Sequence, residues 1–545
     1  MLLGIAGCGG NTDSSSQTES SSGGNAETVS SGEPAAADDG EVVSLEVFSL
    51  PSNTSGLWEG WAADIIREKV GVELEVLAAG DQGEQKLQAL MASGELPDLV
   101  VFKENTQVIN AVAGDMLLAY DDYQEYVPHI YENANASLRY YADYVSDGNG
   151  KAYSVGSTIL TEPITKGNLN FGPVLRYDLY KEIGAPTIET WEDYLPVLKQ
   201  MQDLYPTTED GQKVYGLSLW QDWDRAHLML GGSIGNLNGI NIPNEAALVE
   251  IDHTQNNKVS SLLAEDSWYL KTIHFFYEAN QMGLLDPDSM TQRFDDAQAK
   301  YTAGRVLFSL WPWGVGSFNN QENLNNGIGF MPVMAQNAKI LYADIRPTGQ
   351  AWSWSVSKAT EYPEKAMAFV DAMYDPEVLM EMNNGPKGVV WDLDENNNPY
   401  VLENGMQYLL DTTLDLPGGN NLAKGTSGNM FNANGLSPNY RVKEYNDNPL
   451  SYGGWSTYTP NYTKLELEWQ EDWGTETQVE YLTQRDGIVV APFVNYPVFT
   501  DEMEQISARV GDVVKTLSWQ MVFAADDVSP SRKNGHEKAR KNGMN

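Results

Sequence analysis

The sequence predicts an α/β fold built from mostly parallel sheets that are flanked by helices. The first observation is the order strand, helix, strand, helix, strand with short links over residues 43–102, which is typical of a parallel sheet. The second is the length of the chain beyond residue 42, which is sufficient for two domains with separate cores. The third is that no apolar run reaches the roughly 20 residues of a membrane-spanning helix.

The N-terminal elements follow from the spacing of apolar residues. Residues 43–47 alternate apolar and polar side chains, as a strand with one buried face does. The pattern then predicts a helix, a strand, a helix and a strand, in that order, over residues 58–69, 72–77, 82–91 and 99–102. Parallel sheets bind ligands beyond the carboxyl ends of their strands, so the loops that contain Asn53, Lys103 and Glu104 are candidate binding segments.

The middle of the chain is more helical and more aromatic. Thr190 with Asp193 three residues later is typical of a capped helix start. The remaining elements are a helix, a strand, a strand and a helix over residues 292–303, 305–310, 351–357 and 363–374. We find no internal repeat of fixed period, so a repeat architecture is not expected.

Charge excludes one class of partner. The chain has 34 Lys and Arg residues against 76 Asp and Glu residues, which gives a formal net charge of −42 at pH 7. Such a field repels phosphate backbones and anionic lipid headgroups, so we expect no nucleic-acid partner. The single cysteine leaves no internal disulfide, so packing must supply the stability of the fold.

The only cysteine, Cys8, completes an apolar-small-small-Cys sequence over residues 5–8. This is the form of a bacterial lipoprotein cleavage site, and acyl chains on such a cysteine hold a soluble protein to a membrane. We interpret residues 1–8 as the end of a truncated signal peptide and residues 9–41, rich in Ser and Gly, as a disordered tether. The chain is therefore predicted to be anchored at the extracellular face of the cell membrane, with a disordered basic tail over residues 526–545.

Tryptophan residues carry the main functional signal. They occur at strand ends and in loops rich in Gly, Asn and Asp, at Trp220, Trp223, Trp311, Trp313, Trp352 and Trp455. Indole faces stack on the C–H faces of sugar rings, while side chains such as Asp224 and Arg225 bind the hydroxyl groups. This pattern predicts a carbohydrate site. Core packing is an equally weighted alternative for any one of these residues, and it is favoured for Trp354.

Five segments occur in a characteristic order, at residues 95–100, 186–194, 299–313, 354–358 and 362–366. As an ordered set they resemble the carbohydrate-binding proteins of ABC transporters, the extracellular solute-binding proteins of family 1. With the lipoprotein signal, the resemblance covers most of residues 42–520. It implies a type II periplasmic-binding-protein-like fold, in which two lobes joined by a hinge close over the ligand. It also implies that Trp313, which follows a proline, stacks on sugar.

The lobes, contacts and partners are expectations from this resemblance. Lobe 1 is expected to contain residues 42–157 and 355–430, and lobe 2 residues 158–354 and 431–525, with a hinge near residues 154–156 and 354–356. We expect a monomer that captures an oligosaccharide, delivers it to the permease subunits of an ABC importer, uses no cofactor and is not an enzyme. The expected ligand contacts are Trp313, Trp311, Trp352, Trp220, Trp223, Asp224, Arg225, Asn53, Lys103 and Glu104.

Two motifs are compatible with other chemistry. Residues 231–235 match the G-x-S-x-G nucleophile motif, but we favour a loop that ends a helix, because no strand pattern precedes the serine. A second motif has the oxygen-ligand spacing of a calcium loop at Asp392, Asp394, Asn396 and Glu403. A β-hairpin turn is favoured there, because Asn397 occupies the position of the usual glycine.

A glycoside hydrolase and a surface carbohydrate-binding adhesin are the alternative functions. Hydrolysis requires two carboxyl groups about 5–9.5 Å apart across the scissile bond. The 76 acidic residues leave such a pair open, and the sequence nominates none. An adhesin does not require a deep aromatic cleft, so the arrangement of the tryptophans distinguishes it from the other two classes.

Overall fold

The computed structural model describes residues 42–52, 55–221, 232–242, 248–350, 352–422, 431, 433–494 and 500–525. Its strands are β1 Val43–Ser49, β2 Gly56–Leu57, β3 Val72–Ala78, β4 Leu99–Phe102, β5 Val155–Gly156, β6 Val174–Arg176, β7 Ile240–Asn241, β8 Val249–Asp252, β9 Lys258–Ser261, β10 Phe308–Ser309, β11 Phe330–Pro332, β12 Ile340–Tyr342, β13 Ser353–Val356, β14 Trp391–Leu393, β15 Pro399–Val401, β16 Arg441–Val442, β17 Asn448–Pro449 and β18 Ile488–Val490. Its helices are α1 Trp61–Val70, α2 Gly83–Ser93, α3 Asn105–Ala113, α4 Pro128–Asn133, α5 Asn135–Tyr144, α6 Tyr177–Glu182, α7 Tyr194–Leu204, α8 Ser233–Asn236, α9 Trp268–Gln281, α10 Phe294–Thr302, α11 Gln321–Asn325, α12 Pro363–Ala372, α13 Pro376–Asn384, α14 Met406–Leu410, α15 Lys464–Trp473, α16 Gln478–Thr483 and α17 Asp501–Val522.

The first sheet has the strand order β2-β3-β1-β4-β13-β5. Its centre is parallel, because β1 pairs in parallel with both β3 and β4. Strand β13 enters antiparallel between β4 and β5. The predicted α/β fold with a mostly parallel sheet is confirmed here. The reversed strand has a topological cause, because β13 belongs to the part of the chain that returns from the second lobe.

The second sheet repeats this plan. Strand β6 pairs antiparallel with β10 on one side and with β11 on the other. Parallel bridges extend the sheet beyond β10, from Val306 to Tyr215 and from Leu217 to Leu285. In each sheet the first strand formed after the chain crosses between the lobes, β13 or β6, runs antiparallel to its neighbours. The first sheet has a second antiparallel strand at its edge, because β2 pairs antiparallel with β3.

Two large hydrophobic cores identify the lobes. One core contains buried residues between Val43 and Ile159 and again between Trp354 and Trp455, and a smaller cluster packs on the other face of the same sheet. The other core contains buried residues between Leu160 and Tyr342 and again from Leu465 onward. The fold is therefore two-lobed.

The packing corrects the predicted lobe boundary at residue 431. Leu436, Val442, Leu450 and Trp455 are buried in the core of the first lobe, not the second. The indole of Trp455 lies 5.5 Å from that of Trp391 between ring centroids. The second lobe resumes only near α15, because the segment that follows residue 431 completes the apolar surface of the first lobe.

The crossing between lobes brings backbone segments into close contact. Ser157 donates its amide N–H to Trp352 and accepts one from Gln350, at 2.8 and 2.7 Å. Gly349 has φ +77°, and a Cβ on it would lie 2.5 Å from the carbonyl carbon of Gly156. Glycine is required at this point by both conformation and space. The predicted crossing near residues 154–156 and 354–356 adjoins this contact, since β5 pairs with β13.

A buried ion pair joins two helices of the first lobe. His129 of α4 lies 2.7 Å from Asp371 of α12, measured from Nδ1 to Oδ2, and its Nε2 lies 3.8 Å from Asp375. Asp371 also accepts the amide N–H of Ile130 at 2.9 Å. Burial lowers the pKa of His129, but the hydrogen bond that its ring donates to Asp371 and the charges of both aspartates outweigh burial, so the pKa is raised above 6.5.

This pair predicts a pH-dependent stability. A histidine whose pKa is raised on folding stabilises the protein fully below its unfolded value, and that contribution is lost as pH rises through the folded value. We expect the free energy of unfolding of the wild type, minus that of His129→Gln, to fall between about pH 6 and pH 8. Denaturant unfolding of both proteins at several pH values measures the difference. A difference that is constant with pH would contradict the assignment. Asp371→Asn should reduce the pH dependence, with the charge of Asp375 accounting for what remains.

Candidate functional site

The second lobe presents aromatic residues beyond two neighbouring segments of its sheet. An extended segment that bridges to its neighbours at Tyr215 and Leu217 leads into Trp220, and β10 leads into Trp311. Trp313 follows on a short 3₁₀-helix over Pro312–Val315, which proline starts with its fixed φ. Gln298 of α10 donates to the carbonyl of Gly314 at 2.9 Å and holds this turn against the helix.

These side chains form one contiguous aromatic cluster, which consists of Trp220, Phe294, Trp311 and Trp313. Trp220 lies 5.1 Å from Trp311 and 5.1 Å from Phe294 between ring centroids. Trp313 lies 5.7 Å from Phe294 and 6.4 Å from Trp220. These are tilted and edge-to-face arrangements, which are the favoured geometries of aromatic pairs.

Exposure divides the aromatic cluster into a base and a surface. Trp220 is 2 % exposed and Trp311 is 8 % exposed, so both lie in the core of the second lobe. Trp313 is 46 % exposed, and among the residues that the structure describes it is the only tryptophan in the group of exposed large apolar side chains. The buried residues Trp220 and Trp311 therefore form the base of the cluster, and the indole of Trp313 is its solvent-exposed part.

A buried polar network fixes the extended segment that leads to Trp220. Asp286 is fully buried and accepts from Lys300 Nζ and Ser218 Oγ, each at 2.7 Å. Gln292 accepts the amide N–H of Gln221 through its carbonyl at 3.2 Å. Burial lowers the pKa of Lys300, but its hydrogen bonds to Asp286 and Asp288 outweigh burial and raise it. The charged pair therefore holds the base of the aromatic cluster in place.

In the first lobe, two of the expected contact residues lie at one edge of the sheet. Ser353 of β13 is in register with Phe102 of β4, and the two strands are antiparallel. Trp352, which precedes Ser353, and Lys103, which follows Phe102, are therefore neighbours at the end of this strand pair. Both are half-buried. Trp354, two residues further along β13, is fully buried, in agreement with the core packing favoured for it.

Glu104 caps the N-terminus of α3. Its side chain accepts from the backbone at the third residue of α3, and Gln107 returns the contact by accepting the amide N–H groups of Lys103 and Glu104 at 2.9 and 3.1 Å. This capping box orients the loop after β4. The predicted role of Glu104 as a ligand contact therefore competes with its role as a helix cap.

Other predicted positions lie elsewhere or are not described. Cys8, Asn53, Trp223, Asp224 and Arg225 lie outside the described residues. Trp455 is buried in the first lobe, so it is a core residue and not part of an aromatic binding surface.

The sequence reasoning missed Phe294, which bridges Trp220 and Trp313. The sequence feature that could have indicated it is an aromatic residue near the start of the predicted helix over residues 292–303. That helix directly precedes the predicted strand that leads to Trp311. An aromatic at a helix start carries no periodic pattern of its own, so only the packing of α10 against the turn reveals it.

The motif at residues 231–235 does not present a nucleophile. Ser233 starts the four-residue helix α8 and is fully buried, whereas the serine of a nucleophile elbow is exposed. The helix differs from the predicted loop, because the backbone of residues 233–236 closes into a single turn.

The calcium-like motif forms a β-hairpin. Strands β14 and β15 pair antiparallel, and Asn397 in the turn adopts φ +61°. Asp394 accepts the amide N–H groups of Asn396 and Asn398, each at 2.8 Å, and hydrogen bonding by Asn398 lowers its pKa. Among the described residues no group of three or more His, Cys, Asp or Glu side chains could hold a metal ion. The turn therefore uses its central carboxylate to stabilise itself.

One structural observation concerns membrane-spanning helices. Within the residues that the structure describes, no helix is both long and apolar enough to cross a membrane.

Comparison with known folds gives several similar structures. The alginate-binding protein AlgQ2 without calcium ion has a TM-score of 0.58 at 13 % identity, over 92 % of this chain and 96 % of that one. The ABC-transporter substrate-binding protein FusA of S. pneumoniae, in complex with kestose, has 0.56 at 16 % identity, over 92 % and 96 %. An HMO-binding ABC-transporter-associated solute-binding protein of Bifidobacterium longum infantis has 0.53 at 15 % identity, over 93 % and 97 %. At these identities the likeness shows the fold.

Sequence comparison decides the family. No curated protein sequence matches the chain. The profile of the family described as bacterial extracellular solute-binding protein matches residues 51–380, which is more than half of the chain. The chain therefore belongs to the family of bacterial extracellular solute-binding proteins.

Proposed function

We propose that this chain is the substrate-binding protein of an ABC importer, and that it binds an oligosaccharide between its two lobes and delivers it to the permease as a monomer. The observation that carries the proposal is Trp313, an exposed indole that rests on a buried aromatic base at the end of a strand. Sugar rings present apolar C–H faces that stack on such a surface. The names of AlgQ2, FusA and the HMO-binding protein, which share the fold, support the same ligand class.

In this proposal the ligand lies between the strand ends of the first lobe and those of the second lobe. The first lobe contributes Lys103 and Trp352, and the second contributes Trp313. Trp220 and Trp311 act through Trp313, because they are buried beneath it. Asn53, Trp223, Asp224 and Arg225 are proposed to add contacts from the loops at the same edges. Hydrogen bonds from the polar groups select the sugar, and the indole supplies most of the affinity.

Closure follows from the crossing segments. Gly349 packs directly on the backbone of Gly156 at the crossing between the lobes, and rotations of these segments would reorient whole lobes. A ligand that touches both lobes stabilises the closed arrangement, and only that arrangement is proposed to dock on the permease.

Anchoring is proposed through Cys8, with residues 9–41 as the tether that holds the body outside the cell membrane. An acylated cysteine with two or more chains anchors a soluble body stably. Mass spectrometry of the mature protein from its native cells should find an N-terminal Cys8 bearing diacylglycerol. A mature N-terminus at any other residue would contradict this part of the proposal.

The test of the proposed function is a thermal-shift screen with mono- and oligosaccharides, combined with chromatography of the sugars afterwards. A ligand that binds only the folded protein stabilises it by about 2.7 kcal/mol at 100 times its Kd. We expect a marked rise in Tm with at least one oligosaccharide, which is recovered intact. Shortened products would identify a glycoside hydrolase instead. No stabilisation by any soluble sugar would favour an adhesin.

A further inference from the structure

The second lobe contains a cavity that the aromatic cluster does not share. Its volume is about 570 Å³, and it lies between α6 with the turn that follows, the segment after β11, and the corner between α15 and α16. All its lining residues belong to one lobe. It therefore stays formed whether the lobes are open or closed, and its volume falls in the range of small-molecule sites.

The walls of this cavity are aromatic rings held in fixed positions. Tyr177 and Tyr180 lie 5.9 Å apart, and Trp473 lies 4.8 Å from Tyr481 between ring centroids. Tyr177 donates to Asp472 at 2.8 Å and accepts from the indole N–H of Trp473 at 3.2 Å. Tyr180 donates to the carbonyl of Pro186 at 2.8 Å. The hydroxyl groups are thus engaged in positioning the rings.

The rim of the cavity offers both donors and acceptors. Arg485 is exposed, and its guanidinium lies 3.8 Å from the centroid of the Tyr481 ring. Within the described part of the chain, the only polar partner of this guanidinium is the carbonyl of Tyr481, at 3.4 Å. In a protein of net charge −42, an arginine without an acidic partner keeps most of its N–H donors available. Asp472, also exposed, supplies carboxylate oxygens across the same opening.

We propose that this cavity is a second carbohydrate site, which binds a single neutral sugar residue independently of lobe closure. Aromatic walls match the apolar faces of a pyranose ring, while Arg485 and Asp472 match its hydroxyl groups as donor and acceptor. Lys181 also lines the cavity, but its charge is paired with Glu468. With Asp472 at the rim and a net charge of −42 over the chain, a neutral ligand is favoured over a phosphorylated one. The proposal concerns a different set of residues from the proposed inter-lobe site.

The experiment is ¹⁹F NMR of the full chain labelled with 5-fluorotryptophan, titrated with glucose, galactose and N-acetylglucosamine at millimolar concentrations. Trp473→Phe and Trp313→Phe assign the two resonances. We expect the Trp473 resonance to shift with at least one sugar, also in Trp313→Ala. Arg485→Gln should weaken that response at least about tenfold, as for a lost hydrogen bond from a charged group. Arg139→Gln, an exposed arginine of the first lobe, is the matched control.

The outcomes separate the two proposals. A Trp473 resonance that none of the sugars moves, or that moves equally in Arg485→Gln, overturns the second site. A shift that disappears in Trp313→Ala also overturns it, because it would then report lobe closure. If the Trp473 resonance responds to sugars while the Trp313 resonance responds to none of the mono- and oligosaccharides, the second site stands and the proposed inter-lobe function fails.

Discussion

Replacement of Trp313 by alanine is expected to weaken binding of the transported saccharide at least about thirtyfold, which corresponds to about 2 kcal/mol. The indole is 46 % exposed, so the side chain is available to a ligand before closure. It is also immobilised by Phe294 and by the turn over Pro312–Val315, so stacking costs little conformational entropy. Titration calorimetry with the saccharide found in the thermal-shift screen measures the change.

The controls for this prediction separate stacking from general surface effects. Trp313→Phe keeps a flat ring and should retain more of the affinity than alanine does. Tyr362→Ala removes a similarly exposed aromatic residue of the first lobe, distant in sequence from the aromatic cluster, and should leave Kd unchanged. Equal affinities for the wild type and Trp313→Ala would remove this residue from the site.

Replacement of Trp354 by alanine is expected to lower the free energy of unfolding of the first lobe by about 3–5 kcal/mol. The indole is fully buried and meets the rings of Phe369 and Phe431 at 5.6 and 5.3 Å. Its N–H donates to the carbonyl of Ala433 at 2.9 Å. The substitution therefore leaves a cavity and an unsatisfied carbonyl in the strand that ties the returning chain to the sheet.

Denaturant unfolding followed by far-ultraviolet circular dichroism measures this loss, with the two lobes fitted as separate transitions where they separate. Trp313→Ala is the matched control, because the same substitution at a half-exposed position removes less packing and should lower the unfolding free energy clearly less than Trp354→Ala does. Similar stabilities for the two alanine variants would contradict the packing described here. The two variants also distinguish a tryptophan that binds ligand, Trp313, from a tryptophan that packs in the core, Trp354.

Local sequence signals predicted local structure well. The alternation over residues 43–47 predicted β1, and Thr190 with Asp193 predicted a capping box that the structure contains. These signals succeed because strand periodicity and helix capping involve residues only a few positions apart. The family resemblance added the two-lobed fold, which no local pattern contains.

The sequence alone determined that the first sheet has a parallel centre covered by helices, and it predicted that Trp311, Trp313 and Trp352 lie next to strand ends. Only the tertiary structure decided which indoles are buried, that residues 433–455 complete the first lobe, and that a second aromatic cavity exists. The physical reason is that burial of a side chain depends on neighbours distant in sequence. Trp311 and Trp313 stand two positions apart, yet the packing of Trp220 and Phe294 buries one and leaves the other exposed.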